Sequence, residues 1–432
     1  MTKARLDGLQ MVILGSIFFV AVGALMEYFN PLGMTDFMQI YSSSRCVEHH
    51  HDPYKPDELF AFYQSDTGGI PTDSSDLSRR FRKIVLIAPN LPTTLFLIAP
   101  IAALKWKAAV VVWMALISAC FIVACFCVWS FGAAAAPRLC GGLILLILVN
   151  SGLLLSTGNT AGLVVSLTVI AVCCFLCERF ALAGVLCMAV ALAIKPHDSG
   201  PVWLYLLFAG GALRKRAIQS AVLTAVIIVP AILWVAHSAP QWAPELQANL
   251  AGGLGTGGLN NPGPTTQGAR GIGQIISLQA ILSLFYDDAR FYNSVSYLVC
   301  GVLLVLWCIR TLRIRFSPRM AWLALAVIAP LTMLPFYHRM YDARLLLLAV
   351  PACAALWTSR REPDRRVAGH AALWLTLAAI VFTGDIFWVA FFEITHYSGP
   401  AGEFGMYPAP IILLTLSMFY LWVYLRADSA AL

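Results

Sequence analysis

The chain has 432 residues, 59% of them hydrophobic and only 12% charged, with a mean hydropathy of +0.77 and a formal net charge of +7. A soluble domain carries about 25% charged residues, so a water-soluble enzyme or binding module is excluded and most of this chain must be solvated by lipid. The positive charge is not a nucleic-acid signal, because the basic residues fall in short loops between apolar runs, where membrane proteins concentrate them on one side.

The first apolar run, 9–29, is too long for the core of a cleavable signal and lacks a small-residue cleavage site, so it predicts a retained first span. Loop 30–83 follows. Its stretch DFMQIYSSSRCVEHHHDPYKPDELFAFY (36–63) holds helix-like pieces at 37–48 and 57–64, with Asp57 placed to cap the second. Pro53 and Pro56 stiffen the turn between them. Further runs occupy 84–104, 108–135, 139–157, 161–177, 180–194, 199–213 and 217–236. A second long loop, 237–292, contains GGLGTGGLNNPGPTTQGARG, too rich in Gly, Pro and Asn to be helix or strand throughout. No strand precedes it and no helix opens at the right glycine, so it is not a phosphate-binding fingerprint. It reads either as a flexible loop that orders on substrate or as a plain connector. The last runs are 293–309, 320–336, 344–358, 369–390 and 409–425.

Basic loops predict the orientation. Lys3/Arg5, Lys105/Lys107, Arg214/Lys215/Arg216, Arg310/Arg313/Arg315/Arg319, Arg360/Arg361/Arg365/Arg366 and Arg426 go inside, which leaves loops 30–83, 237–292, 337–343 and 391–408 outside. Five apolar runs then lie between Lys107 and Arg214, and an odd number cannot join two inside loops. Making 139–157 a re-entrant segment repairs the count, and Asn150 and Ser151 suit a helix that lines a polar cavity. The expected fold is an all-α polytopic membrane protein of about twelve transmembrane helices, a single integral-membrane domain over 1–432 with no internal repeat. All cysteines but Cys46 lie in or beside apolar runs, with neither a disulfide framework nor metal-ligand spacing. The run His49-His50-His51 is no better as a metal site, because adjacent residues rarely converge on one ion.

Ionisable groups at membrane depth are expensive and are functional candidates by default. Here they are Glu27, Asp36, Asp198, Asp342 and Asp385. Asp36 is the best placed, at the start of the first loop beside Phe37 and Tyr41. A carboxylate at the rim of an apolar cavity can act as a general base toward a hydroxyl; Thr35-Asp36 also reads as an ordinary helix N-cap. Lys195, at the end of an apolar run in AIKPHDSG, is a cation for a lipid-linked phosphate, with His197 nearby, or a lysine reaching to the headgroups. In PFYHRMYDARLLL, His338 can bond a phosphate or share a proton and Arg339 can clamp a phosphate with two donors. Tyr337, His338, Arg339 and Tyr341 also fit an interfacial aromatic belt.

Taken in order, these elements resemble the polytopic glycosyltransferases of the GT-C fold, in particular glycosyltransferase family 87 (the DUF2029 group), which includes polyprenol-phosphate-mannose-dependent mannosyltransferases of phosphatidylinositol mannoside synthesis. The family's Asp and aromatic helix after the first span read here as Asp36-Phe37 and Tyr41. Its Ala-Ala-Arg-like run reads Ser43-Ser44-Arg45, and its Gly-x-Pro-Tyr turn His51-Asp52-Pro53-Tyr54. APNLPTTLFLIAPIAAL, with Pro89, Pro92 and Pro100, resembles its Pro-rich second span. Gly158-Asn159-Thr160, Ile194-Lys195-Pro196 and Tyr337-His338 resemble its later elements. The resemblance covers roughly 10–360 and departs at the His run, at Asn159 in place of Gln, and at the serines before Arg45.

The resemblance implies an inverting transfer of a sugar, mannose first, from a polyprenyl-phosphate-linked donor to a lipid or glycolipid hydroxyl on the extracytoplasmic face of a cell (inner) membrane. Asp36 would be the base, with His338 also catalytic. Lys195, Arg339 and Arg45 would bind the donor phosphate, and Tyr41, Tyr54, Asn159 and Tyr337 would line the substrate site. A lipid phosphate leaves readily, so neither a nucleotide pocket nor a metal nor another cofactor is required. A transporter or flippase of lipid-linked sugars is the rival reading; it needs the same cavity and cations but no base at Asp36.

Overall fold

In the computed structural model of the chain, the described residues are 2–427 apart from 31–32, 66–74, 76–78, 80–81, 83, 256–257, 259, 264–274, 360–362 and 396–407. Long apolar stretches free of interior breaks form the long helices, and Pro and Gly mark most of their ends. In chain order the helices are α1 (Lys3–Phe29), α2 (Thr35–Glu48), α3 (Pro56–Ser65), α4 (Pro92–Ala102), α5 (Trp106–Gly132), α6 (Pro137–Val149), α7 (Gly152–Thr157), α8 (Ala161–Leu176), α9 (Ala181–Ile194) and α10 (Pro196–Phe208). They continue as α11 (Gly211–Ser238), α12 (Trp242–Leu254), α13 (Leu278–Leu282), α14 (Ala289–Arg313) and α15 (Pro318–Thr332). A 3-10 helix, Met340–Ala349, then runs into α16 (Val350–Thr358), followed by α17 (Pro363–Phe382), α18 (Asp385–Thr395) and α19 (Pro408–Arg426).

Among the described residues, seven helical stretches are long and apolar enough to cross a membrane: α1, α5, Pro137–Thr157, α11, α14, Met340–Thr358 and α19. The chain is an all-α polytopic membrane protein. Large apolar side chains such as Leu14, Ile17, Val226, Leu233 and Leu298 stay exposed on the outer helices, as lipid-facing surfaces require. Inside, small residues let helices close up: Gly8 of α1 meets Gly141 of α6 so closely that a Cβ on either would collide with backbone.

The two ends of the bundle are distinguishable. Asn30, just past α1, donates to Ser156 at 3.1 Å, and Met34 N donates to Ser156 O at 2.7 Å, so α1 and α7 finish together on the face that carries Asp36. At the opposite end Arg138 pairs with Asp7 at 2.6 Å. Three expectations change here. Lys105 and Lys107 stand on the Asp36 face, not with Lys3 and Arg5: Trp106 stacks 5.6 Å from Phe37, and the Tyr41 hydroxyl donates to Leu104 O. The run 84–104 does not span. Its helix, α4, has eleven residues, about 16 Å of rise against roughly 30 Å of hydrocarbon, and its apolar surface packs on α2, α9 and α11. Pro89 and Pro92 keep the preceding segment out of the helix. Finally, 139–157 crosses the bundle beside α1 rather than re-entering, with Gly158 at one end and Arg138 at the other. One span lost and one gained removes the parity conflict.

The break that suggested re-entry is real but local. Between α6 and α7 the chain leaves the helix at Asn150-Ser151, and Asp385 accepts from Leu153 N at 2.7 Å at the start of α7. The buried Arg344 lies 3.7 Å from the other Asp385 oxygen and donates to Thr383 O at 2.6 Å. Asp385 thus finds a structural partner, and the anion sits where the exposed N–H groups of a helix start need one.

The expected surface helices of the first loop are α2 and α3. Asp57 lies in the first turn of α3, after Pro56, rather than at its cap. Loop 237–292 contains α12 and α13; the GGL that opens its Gly-rich run ends α12, and residues 256–257, 259 and 264–271 of that run, with Arg270, lie outside the described residues. So do Arg360, Arg361 and most of 391–408.

The relocated lysines give a direct check. With the native exposed Cys177 replaced by Ser, Lys107→Cys and His49→Cys are expected to react with an impermeant maleimide from one side of sealed vesicles, and Lys215→Cys from the other. Labelling of Lys107→Cys together with Lys215→Cys would restore the original orientation of this loop.

Candidate functional site

Four separate stretches of chain build one polar recess at the Asp36 face. The first is the start of α2. Met34, at the N-cap, adopts a left-handed conformation with φ 56° and offers no side-chain cap. Asp36 is therefore in the first turn and does not cap; its carboxylate accepts from the Asn159 amide at 2.7 Å. The second stretch explains why Asn159 is there. Gly158 ends α7 with φ 65°, and a Cβ at this position would meet Met34 and Phe37 at 2.7 Å, so only glycine fits the turn. Trp113 donates to Gly158 O at 2.8 Å and stacks on Phe37 with centroids 4.9 Å apart, which locks the turn to α2. Asn159 Oδ1 accepts from Ala161 N at 2.8 Å, so its NH2 group is the end left for Asp36.

The third stretch is the α9–α10 junction. Pro196 cannot continue α9, and the residue before a proline is pushed out of the helical region; Lys195 has φ −145° and ψ 78°. Its ammonium is 3.0 Å from Asp198 Oδ2, bonds Asp342 Oδ1 and lies 5.5 Å from the Tyr341 ring centre. The fourth stretch is 336–342. His338 is buried, with Nε2 3.1 Å from Asp198 Oδ1 and Nδ1 3.1 Å from Phe336 O. Arg339 bonds the Tyr337 hydroxyl, reaches Asn260 Oδ1 at 3.3 Å, and donates its backbone N–H to Asp342 at 2.8 Å. An antiparallel bridge between Ile275 and Arg339, with Ile276 N donating to His338 O at 2.9 Å, ties this loop to the end of the second long loop.

Asp36 is partly buried. Desolvation raises its carboxyl above the usual carboxylate range, while the Asn159 hydrogen bond and the charges of Arg339 and Lys195 pull the other way without cancelling it. The result is a carboxylate of increased basicity within electrostatic reach of two cations, an arrangement able to accept a proton at one group and steady an anion at the others.

Asp36, Asn159, Lys195, Tyr337, His338 and Arg339 are thus brought together. The remaining candidates are engaged elsewhere. Arg45 donates to Ala102 O at 3.2 Å and lies against the Tyr41 ring. Tyr41 is buried on Leu104 O, and Tyr54 is buried with its hydroxyl on Asn90 O at 2.9 Å. These three fasten α2 and its following turn to α4. The sequence reading did not pair Asp198 and Asp342 with Lys195, or Asn260 with Arg339; Asn260 had a signal only as part of the Asn pair in an otherwise Gly-rich loop.

With the geometry in hand, comparison with known proteins gives one result. The family model described as "Glycosyltransferase family 87" matches residues 90–335, more than half of the chain. No curated protein and no solved structure matches. The matched region holds Asn159 and Lys195; Tyr337, His338 and Arg339 lie just past its end, and Asp36 lies well before its start.

Proposed function

The chain belongs to glycosyltransferase family 87, and on that premise we propose that this multi-pass membrane glycosyltransferase moves a sugar, mannose first, from a polyprenyl-phosphate donor to the hydroxyl of a lipid or glycolipid, with inversion, on the extracytoplasmic face of an inner membrane. The observation that carries the reading is that Asp36, bonded by Asn159, lies within electrostatic reach of Lys195 and Arg339.

The step balances within these residues. The acceptor oxygen attacks the anomeric carbon from the side opposite the phosphate and gives its proton to Asp36. The bond between the anomeric carbon and the phosphate oxygen breaks, and the electron pair leaves with the polyprenyl phosphate. Asp36 supplies the base and Asn159 orients it. Lys195 has two carboxylate partners for its three N–H donors, which leaves one for a phosphate oxygen. Arg339, held by Tyr337 and Asn260, adds a second cation, and His338 stands beside Asp198.

The helices that carry the recess also favour a lipid-borne donor. α8, α9, α10 and α15 have 16, 14, 13 and 15 residues. At 1.5 Å per residue that is about 20–24 Å, short of a roughly 30 Å hydrocarbon layer. A recess at that depth suits a phosphate whose tail stays in lipid.

Two measurements check this reading. Presented with labelled sugars on polyprenyl phosphate and on nucleotides, the purified protein is expected to use only the lipid-linked donors and to give product of opposite anomeric configuration; use of a nucleotide sugar would overturn the donor class. Replacement of Asn159 by Ala removes a bond that favours ionised Asp36. Activity requires the carboxylate, so the acid limb of the kcat/KM profile is expected to move to higher pH. An unmoved limb would detach Asn159 from the base.

A further inference from the structure

The polar groups beside Lys195 pose an electrostatic problem that the reaction above leaves open. The Phe336 carbonyl can only accept, so His338 Nδ1 carries a hydrogen. Its Nε2 then points at Asp198 Oδ1 from 3.1 Å, and His197 Nε2 lies 3.6 Å from the same oxygen. The three ligand atoms all fall within 4.8 Å of one another. With His338 neutral, its Nε2 lone pair faces the Asp198 carboxylate, and the Nδ1-protonated tautomer of His197 brings a third lone pair to the same point.

The charges around the recess lead the same way. Asp36, Asp198 and Asp342 bring three negative charges against the two positive charges of Lys195 and Arg339. Among the described residues, a site read as receiving a lipid phosphate is thus net negative when the three carboxyls are ionised and both histidines are neutral. A divalent cation there reverses the sign.

We propose that His197, Asp198 and His338 bind a divalent transition-metal ion, with zinc the species that the ligands fit best. Ligand atoms 2.0–2.1 Å from a tetrahedral zinc stand about 3.3 Å apart, close to the 3.1 and 3.6 Å found on two edges. The edge between the two histidines is the one that closes on binding. The surroundings match those of metal sites, where a ligating histidine gives its other N–H to a carbonyl and the ligating carboxylate is itself bonded. Here Phe336 O and Lys195 fill those places. Two histidines and one aspartate leave a fourth position open, and His197, 39% exposed in its side chain, leaves a path in. The ligand class for the open position is a phosphate oxygen. That role rests on the glycosyl-transfer reading; the binding of the ion does not. No spacing along the chain marks such a site, since His338 lies 140 residues from Asp198.

The test uses full-length, untagged protein in lipid discs. Metal analysis after dialysis against metal-free buffer is expected to find about one zinc per chain in the wild type and none in His197→Ala, a variant at a half-exposed position. Cobalt titration is expected to give the intense visible bands of a four-coordinate site, with affinity lowered at least about tenfold in His197→Ala, the lower end of the loss seen when even a supporting residue of such a site is removed. The His50→Ala control should retain the bands. Bands that change on adding polyprenyl phosphate would assign the open position. Absence of zinc together with absence of cobalt bands in the wild type would overturn the site, and would point to an imidazolium at His338 paired with Asp198. Loss of the bands in His50→Ala rather than His197→Ala would also overturn it, by moving the metal to the exposed His run. Cobalt bands in a protein that transfers no sugar would leave the metal site standing and remove the glycosyl-transfer reading.

Discussion

Asp36→Asn is expected to fold like the wild type and to lose transfer by about 10²–10⁴-fold, the contribution of a positioned general base. The change is nearly isosteric. Asn159 can still donate to the remaining side-chain oxygen, and the packing of Phe37 on Trp113 and of Met34 against Gly158 is untouched. What disappears is, among the described residues, the one carboxylate of the cluster that is not bonded to a cation at close range: Asp198 and Asp342 both hold Lys195. Thermal unfolding should therefore match the wild type while kcat collapses. Wild-type turnover in Asp36→Asn would remove the base from the mechanism. Because burial lifts the Asp36 carboxyl above the usual carboxylate range, wild-type activity should fall as pH drops through that raised value, earlier than for an exposed aspartate. The variant's residual rate should lack this limb.

Lys195→Met is expected to damage both stability and donor binding. Lys195 stands between two buried carboxylates, Asp198 and Asp342. Removing one partner of a buried ion pair typically costs about 3–5 kcal/mol, because an uncompensated charge stays behind. A loss of activity alone would then say little about phosphate binding. The double variant Lys195→Met/Asp342→Asn separates the two effects. It removes one of the stranded charges, so most of the thermal stability should return, yet the affinity for polyprenyl-phosphate sugar should remain low. Donor affinity that returned along with stability would reduce Lys195 to a structural role.

Much of the architecture was legible because lipid exposure writes itself into long apolar runs. The apolar runs 161–177 and 180–194 match α8 and α9 to within a residue or two, and the helix-like pieces at 37–48 and 57–64 match α2 and α3. The errors have a common cause. Residues 84–104 are apolar enough to span, but Pro89 and Pro92 cut the run to an eleven-residue helix whose apolar surface is covered by α2, α9 and α11. Charge counting then sent Lys105 and Lys107 to the wrong face. Hydropathy cannot distinguish burial in lipid from burial in protein.

The site divides in the same way. Asp36, Lys195, His338 and Arg339 were recognisable singly, as ionisable groups at the ends of apolar runs. Their mutual geometry was not, because Asp36 and Asn159 are 123 positions apart and Lys195 and Asp342 are 147 apart. Arg45, Tyr41 and Tyr54 were chosen for their residue types, and those types also suit the anchoring of a surface helix, which is where the fold uses them.

The central claim, transfer by this recess rather than transport through it, meets its most direct test in sealed proteoliposomes holding labelled polyprenyl-phosphate sugar and a membrane-lipid acceptor. The prediction is label in a new glycolipid, dependent on the acceptor and absent with Asp36→Asn. Movement of the labelled sugar-lipid across the bilayer without any new product, equal in the two proteins, would contradict it and make the recess a passage.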